Sequence, residues 1–415
     1  MVTEQFVVPK LADIRAVADK LEGVVNHTPL EGSTFLTELL GGKRVLLKCE
    51  NLQRTGAYKL RGAYNLISAL DPAERAGGVV AASAGNHAQG VAYAARELGI
   101  KATIFMPLGV ALPKLQATKN YGADVQLIGV NVEESLTAAK QFAAETGAYF
   151  VPPFDHPDVI NGQGTVALEM LDIEPEIDTI VVPIGGGGLI SGVAVAAKLW
   201  AAENGRQMRI IGVQAENAAA MQPSLKAGEP ITVETTATIA DGIAVARPGN
   251  LNFQCVRDFV DEIITVSDDD IARAIVLMLE RAKLVVEPAG AAGVAAIIAG
   301  KIKSTGVTAT VLSGGNIDPL LLQRVIGHGL AAASRYLKLR ISLPDRPGQL
   351  VRTAQIVAGQ YANVVEVLHT RHATELPISD VELELHIETR GKDHGDQVVR
   401  ALEEAGYQVR VGERY

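Results

Sequence analysis

Between about residue 45 and residue 315 the chain alternates short apolar runs with longer amphipathic stretches. RVLLKCE, GGVVAAS, KATIFMP, DVQLIG, AYFVPPF, TIVVPIG, RIIGVQAE and TATVLSGG are the predicted strands. Most are apolar along their length, the pattern of strands covered on both faces. NHAQGVAYAARELG, VEESLTAAKQFAAETG and GGLISGVAVAAKLWAAENG read as helices, with glycines placed as C-caps. SDDDIARAIVLMLERA opens with Ser267 as an N-cap and acidic residues in the first turn. Strands and helices alternating on this scale require parallel sheets joined by right-handed crossovers. The predicted fold class is therefore α/β. A chain of 415 residues exceeds one compact core of ordinary size, so more than one domain is expected.

The last 80 or so residues follow another pattern. YLKLRISLPDRPGQL is a strand and turn, QLVRTAQIVAGQY a helix, NVVEVLHTRH and DVELELHIETR two strands, HGDQVVRALEEAG a helix and YQVRV a last strand. In DVELELHIE, Val381, Leu383, Leu385 and Ile387 alternate with Glu382, Glu384, His386 and Glu388, which predicts a sheet with one covered face. The order βαββαβ predicts a small ferredoxin-like domain.

Several turns at predicted strand ends carry chemistry. In VVPIGGGGLISG, Gly185, Gly186, Gly187 and Gly188 sit between a strand and a helix. Backbone N–H groups there, with the positive helix end, suit a phosphate. No Lys-Ser/Thr pair follows, so this is not a P-loop; Ser191 stands where a dinucleotide fingerprint ends in glycine, although Glu216 at the end of the next predicted strand keeps a dinucleotide as the weaker alternative. The alternative is a glycine-rich corner without a ligand. Ser83, Ala84, Gly85, Asn86 and His87 fall at the C-terminal edge of a predicted sheet, where open α/β sheets bind ligands. Asn86 can equally cap a helix, and His87 can be a structural histidine. Ser313 ends an apolar strand, where its hydroxyl can meet a flat ligand. Glu287 lies in the apolar stretch VVEPAGAAG and needs a partner if buried; a surface loop is the alternative. Lys59 lies in ENLQRTGAYKLRGAYN, between Tyr58 and Leu60. A phosphate loop, polar groups for a planar ring and a lysine amine together suit pyridoxal 5'-phosphate. Its aldehyde bonds a lysine and its ring draws electrons.

TGAYKLRGAYN, SAGNHAQGVAYAA, PFDHPDVINGQGT, GGGGLISG, TIADGIAVARPG, VEPAGAAG and SGGNID occur in this order. Through them the chain resembles, over about residues 10 to 330, the threonine dehydratases (threonine ammonia-lyases). These belong to the tryptophan-synthase-β-like, fold type II class of pyridoxal-phosphate enzymes. The tail resembles a single ACT-type regulatory domain, through Gly348 in LPDRPGQL and Asn363 in YANVVEV. The resemblance implies a catalytic domain of two α/β subdomains over residues 1–326, a linker over 327–335 and the ACT-type domain over 336–415. It implies that Lys59 holds the cofactor, Asn86 meets its ring hydroxyl and Ser313 its pyridine nitrogen. Gly185, Gly186, Gly187, Gly188 and Leu189 would bind its phosphate. Ser83, with backbone at Gly85, Asn86 and His87, would receive the substrate carboxylate. Ala57 departs from the serine commoner in the family.

The implied activity is deamination of L-threonine to 2-oxobutanoate and ammonia, and of L-serine to pyruvate, as the first step of isoleucine biosynthesis. A catabolic role, or another β-hydroxy amino acid such as 3-hydroxyaspartate, is the alternative. A non-catalytic amino-acid sensor is disfavoured by Lys59 and the glycine loop. Lys59, freed by the substrate amine, would take the Cα proton. A neutral Ser313 favours elimination over transamination. In similar serine racemases a serine stands at the place of Ala84 and acts as the opposite-face base; alanine cannot, so racemisation is not expected. Glu216 and Ala220 resemble a cation-binding segment, but Gln222 replaces an acidic ligand there, so no metal is expected. An effector (isoleucine or valine) and a homotetramer or homodimer are expected from the resemblance.

The net charge of −9 argues against nucleic-acid partners. Two cysteines, Cys49 and Cys255, suggest neither a disulfide framework nor a cysteine metal site. No apolar run has transmembrane length, and the first residues show no export signal, so a cytoplasmic protein without membrane contact is expected.

Overall fold

The computed structural model describes residues 8–304, 306–332, 334–371 and 380–412. Residues 1–7, part of the stretch read for an export signal, lie outside them. The chain divides into two compact units, one up to Asp318 and one from Pro319.

The first unit contains two sheets. β1 (Leu30–Gly32), β2 (Val45–Lys48), β7 (Ile177–Pro183), β8 (Arg209–Ala215), β9 (Glu262–Val266) and β10 (Val307–Val311) form one, in the order β1-β2-β10-β7-β8-β9. All its pairings are parallel except β1 with β2. β3 (Val79–Ala82), β4 (Ala102–Met106), β5 (Asp124–Leu127) and β6 (Tyr149–Phe150) form the other, wholly parallel, in the order β5-β4-β3-β6. Every predicted strand of this part is a strand. Runs apolar along their length hold the sheet interiors: all residues of β2, β3 and β4 are buried. The edge strand β5 is half-exposed, as its Asp124 and Gln126 allow. Two strands went unread. β1 is three residues long, and β9 (EIITV) opens on an exposed glutamate.

The helices cover these sheets. Helix Lys59–Ala69 packs against Asn86–Glu97 and Pro157–Ile173, and the latter against Gly188–Glu203. A Cβ on Gly162 would lie 2.5 Å from the Gly62 Cα, so the contact between Lys59–Ala69 and Pro157–Ile173 needs glycine to let the two backbones meet. Ser267 caps helix Asp268–Leu277 in a full capping box with Asp270. The stretch read as one helix then widens into a π turn over Met278–Ala282 and ends at Lys283, in the left-handed region at φ 60°.

The second unit opens with helix Pro319–Ala332. Residues 327–332, expected as part of a linker, are thus helical, and they group with the second unit. β11 (Tyr336–Pro344), helix Gln349–Gly359, β12 (Asn363–Thr370), β13 (Asp380–Glu388), helix Lys392–Glu404 and β14 (Gln408–Val411) follow in the order βαββαβ. The sheet is antiparallel throughout, in the order β12-β13-β11-β14, which is the ferredoxin-like arrangement. Val381, Leu383, Leu385 and Ile387 are in its core. The opposite face corrects the simple alternation: Glu384 and His386 are buried as well. Charge pairing makes that burial tolerable. Glu384 takes Lys338 at 2.6 Å and Arg340 at 3.0 Å, and His386 lies between Glu384 and Glu366 at 2.9 Å from each.

Candidate active site

A cavity of about 300 Å³ in the first unit opens at the C-terminal ends of β3, β7 and β10. That is the edge where open parallel sheets bind ligands. It is lined by Lys59, Ser83, Ala84, Gly85, Asn86, His87, the four glycines Gly185 to Gly188, Leu189, Glu287 and Ser313. Segments up to 254 positions apart in the chain therefore share one space. Gly348 and Asn363 lie in the second unit: Gly348 caps helix Gln349–Gly359 at φ 90°, and Asn363 opens β12.

Lys59 is the first residue of its helix, half-buried at the cavity wall. Its Nζ donates to the Pro153 carbonyl at 2.8 Å. Burial lowers its pKa from 10.5 to about 8, against the opposing pull of Glu287. A larger fraction of this amine is thus neutral, and nucleophilic, at physiological pH than of a surface lysine.

Behind Lys59 the helix is pinned by a buried quartet of charges. Arg61 holds Glu50 through Nε at 2.9 Å and Nη2 at 2.8 Å, and Glu169 through Nη1 at 2.6 Å and Nη2 at 2.9 Å. Lys48 completes it at 2.6 Å from Glu169. Two positive and two negative groups balance, and Thr28, Thr165 and the Thr28 carbonyl take remaining donors and acceptors. Lys59 and Arg61 are two positions apart on one helix and so face opposite ways.

The glycine loop is walled so that side chains do not fit. A Cβ on Gly186 would lie 2.5 Å from the Phe154 ring, and one on Gly188 2.8 Å from the Phe154 Cβ. Gly187 caps helix Gly188–Glu203 at φ 103°, a conformation open to glycine. Gly186 O is held by the N–H of Gly249 at 3.0 Å and by Asn252 Nδ2 at 3.2 Å. Phe154 and Gly249 lie in the quoted motifs PFDHPDVINGQGT and TIADGIAVARPG without an assigned role, and Asn252 lies outside all of them. The first N–H groups of the helix have no intrahelical acceptor and meet the cavity at the helix's positive end.

The Ser83–His87 turn presents a second helix start. Asn86 and His87 open helix Asn86–Glu97, and the Gly85 N–H is tied to Ser83 Oγ at 3.1 Å. The His87 ring is turned away, with Nε2 3.0 Å from the Val151 carbonyl. Burial, and then the charge of Lys59, push its pKa down to about 3, so the ring is neutral and structural.

Glu287, which needed a partner if buried, is 4% exposed and has one: Asn86 Nδ2 donates to its Oε1 at 2.6 Å. Asn316 Nδ2 in turn donates to Asn86 Oδ1 at 2.9 Å and to the Thr55 carbonyl at 2.8 Å, which orients the Asn86 amide. Burial and nearby Asp241 raise the Glu287 pKa from 4.5 to about 7, opposed by Lys114, Asn86 and Lys59. Lys114 and Asp241 also line the cavity and pair at 3.1 Å. Neither has an assigned role in the sequence: Lys114 lies in helix Leu112–Asn120, outside every quoted motif, and Asp241 is one polar residue inside TIADGIAVARPG. Outside this cavity, Glu216 is exposed and Gln222 donates to the Ile263 carbonyl at 2.6 Å.

An amine of lowered pKa, a glycine cradle that any Cβ would fill and a hydroxyl at a strand end fit pyridoxal phosphate. The family described as pyridoxal-phosphate dependent enzyme matches residues 21–314. The L-threonine ammonia-lyase of Thermotoga maritima is 47% identical over 402 residues, 97% of this chain and 99% of that protein. The catabolic L-threonine dehydratase TdcB of Escherichia coli K12 is 42% identical over 318 residues, 76% of this chain and 95% of that protein. Among solved structures, maize serine racemase superposes with a TM-score of 0.72 at 39% identity, covering 77% of this chain and 97% of that one.

Proposed function

This chain belongs to the pyridoxal-phosphate dependent enzymes, and on that premise we propose that it deaminates L-threonine to 2-oxobutanoate and ammonia, and L-serine to pyruvate. The observation that carries the reading is Lys59, an amine of pKa about 8 at the wall of a cavity that also holds the glycine cradle. The likeness to threonine ammonia-lyase along nearly the whole chain supports the choice of substrate.

Bound there, pyridoxal phosphate supplies an electron sink for charge developing at the substrate Cα. Gly185, Gly186, Gly187, Gly188 and Leu189 would hold its phosphate through backbone N–H groups. Asn86 and Ser313 would face its ring, and Lys59 would hold it through Nζ. When the substrate amine takes the place of Lys59, the Lys59 Nζ becomes a free base and removes the Cα proton. The Ser83–His87 turn orients the substrate carboxylate with the N–H groups of a helix start. The α-proton and β-hydroxyl leave as water. Hydrolysis of the resulting enamine consumes one water and releases ammonia. Ala84 has no proton to deliver to the opposite face, which favours elimination over racemisation.

The biological setting extends the same reading. The enzyme serves isoleucine biosynthesis in the cytoplasm as a homotetramer or homodimer, and the ACT-type second unit binds isoleucine or valine through the segments of Gly348 and Asn363. A coupled 2-oxo acid assay with threonine and serine, with and without isoleucine and valine, tests both parts. No 2-oxobutanoate from threonine would overturn the activity. Rates indifferent to both amino acids would overturn the regulation.

A further inference from the structure

Lys114 and Asp241 come from different parts of the first unit. Lys114 is on helix Leu112–Asn120, beside the β3–β6 sheet, and Asp241 opens a 3-10 turn that follows the larger sheet's β8. They meet at 3.1 Å on the cavity wall. The pair is lopsided: the lysine side chain is 15% exposed and the aspartate 60%. The ammonium has three protons, and among the described residues Asp241 is its one hydrogen-bond partner. Its Nζ lies 3.8 Å from where a Cβ of Gly85 would be, beside the Ser83–His87 turn. Two further charges face the same space, the Glu287 carboxyl and the Lys59 amine. Asp241 and Lys114 act on Glu287 with opposite signs, so these groups sense one another electrostatically.

We propose that Lys114 and Asp241 form a charge filter, in which Lys114 attracts the substrate carboxylate and Asp241 restricts the site to amino acids with an uncharged side chain. This deepens the proposed threonine and serine activity and rests on it. A substrate with one carboxylate shares the spare protons of Lys114 and leaves its ion pair intact. A second carboxylate on the side chain meets the negative charge of Asp241, and of Glu287 when ionised, with the Lys114 ammonium already engaged. Removing the Asp241 charge frees Lys114 for that second carboxylate. The residues determine specificity and take no proton from the reacting atoms.

The test compares kcat/KM for L-threonine and L-threo-3-hydroxyaspartate in the holoenzyme, in Asp241→Asn, in Lys114→Gln and in the double variant. Asp241→Asn should raise the ratio for the dicarboxylic substrate over threonine about tenfold or more, the order expected on removing one like charge near a partly screened site. Adding Lys114→Gln should cancel that gain. Lys114→Gln alone should raise KM for threonine more than it lowers kcat. An unchanged ratio in Asp241→Asn, or a gain that persists without Lys114, would overturn the filter. Cofactor absorbance of each variant shows whether the site is still built, and Asp241→Ser serves if the asparagine variant loses it. A wild-type enzyme that releases nothing from threonine sinks the activity itself. An enzyme active on threonine with a constant ratio sinks only the filter.

Discussion

Asn86 donates from Nδ2 to Glu287 Oε1 at 2.6 Å, joining the start of a helix in one sheet's layer to a buried carboxyl 201 positions later. The bond does two things. It satisfies a carboxyl that burial would otherwise penalise, and it fixes an amide that faces the cavity.

Glu287 makes the fold pH-dependent. Its pKa is about 7 in the fold against 4.5 ordinarily. The stabilising contribution is therefore complete below about 4.5 and is lost as pH rises through about 7. Glu287→Gln keeps an oxygen for Asn86 and removes the titration. Urea unfolding from pH 5 to 8 should show the wild type losing up to about 3 kcal/mol relative to the variant, at roughly 1.4 kcal/mol per pH unit. Parallel curves would show that the carboxyl titrates normally.

Lys59→Ala should abolish turnover, by about a thousandfold or more in kcat, as loss of a catalytic nucleophile or base does. It should also bleach the yellow of the bound cofactor. In cofactor-free wild type, the rate of recombination with pyridoxal phosphate should rise with pH through about 8, where burial places this amine. A midpoint near 10.5 would mean that Lys59 is solvated like a surface lysine.

Gly186→Ala should weaken cofactor binding, because its methyl would meet the Phe154 ring at 2.5 Å. Phe154→Leu in the same chain should recover part of the loss. Equilibrium titration of the cofactor's absorbance measures both. No recovery in the double variant would place the cost in the loop backbone.

Wild-type enzyme given L-serine should form pyruvate without D-serine, since Ala84 lines the cavity and carries no exchangeable proton. Ala84→Ser should introduce D-serine, detected by chiral chromatography. Rapid D-serine formation by the wild type would require a base other than residue 84.

Arg61→Met should destabilise the first unit by about 3–5 kcal/mol, the cost of breaking a buried charge cluster on one side. Glu50 and Glu169 would remain buried without their shared partner. Chemical denaturation reads this directly. A neutral result would show that the quartet contributes little beyond its own desolvation.

Much of the fold was legible because burial writes itself into local pattern. In KATIFMP the strand residues ATIFM are apolar but for Thr103, since both faces of β4 are covered, and DVQLIG is mixed because β5 is an edge. Glu384 and His386 escaped this logic. Their polarity signalled solvent, but partners on neighbouring strands allow them to be buried. The site was legible where chemistry demands unusual residues together, as in Gly185 to Gly188. Lys59 alone was one lysine or arginine among 38, and gained meaning from the other motifs.

The sequence by itself determined the alternation of the main strands and helices, the parallel α/β class of the first unit, the βαββαβ tail and the residue types at the strand ends. Those follow from period, apolarity and turn chemistry, all of which act between near neighbours along the chain. Only the tertiary structure decided that Asn86 meets Glu287, that Phe154 walls the glycine loop and that Asp241 lies against Lys114. Such meetings depend on the path of the chain through two sheets. A side chain's charge and pKa are set by whatever that path brings within a few ångströms, not by its neighbours in sequence.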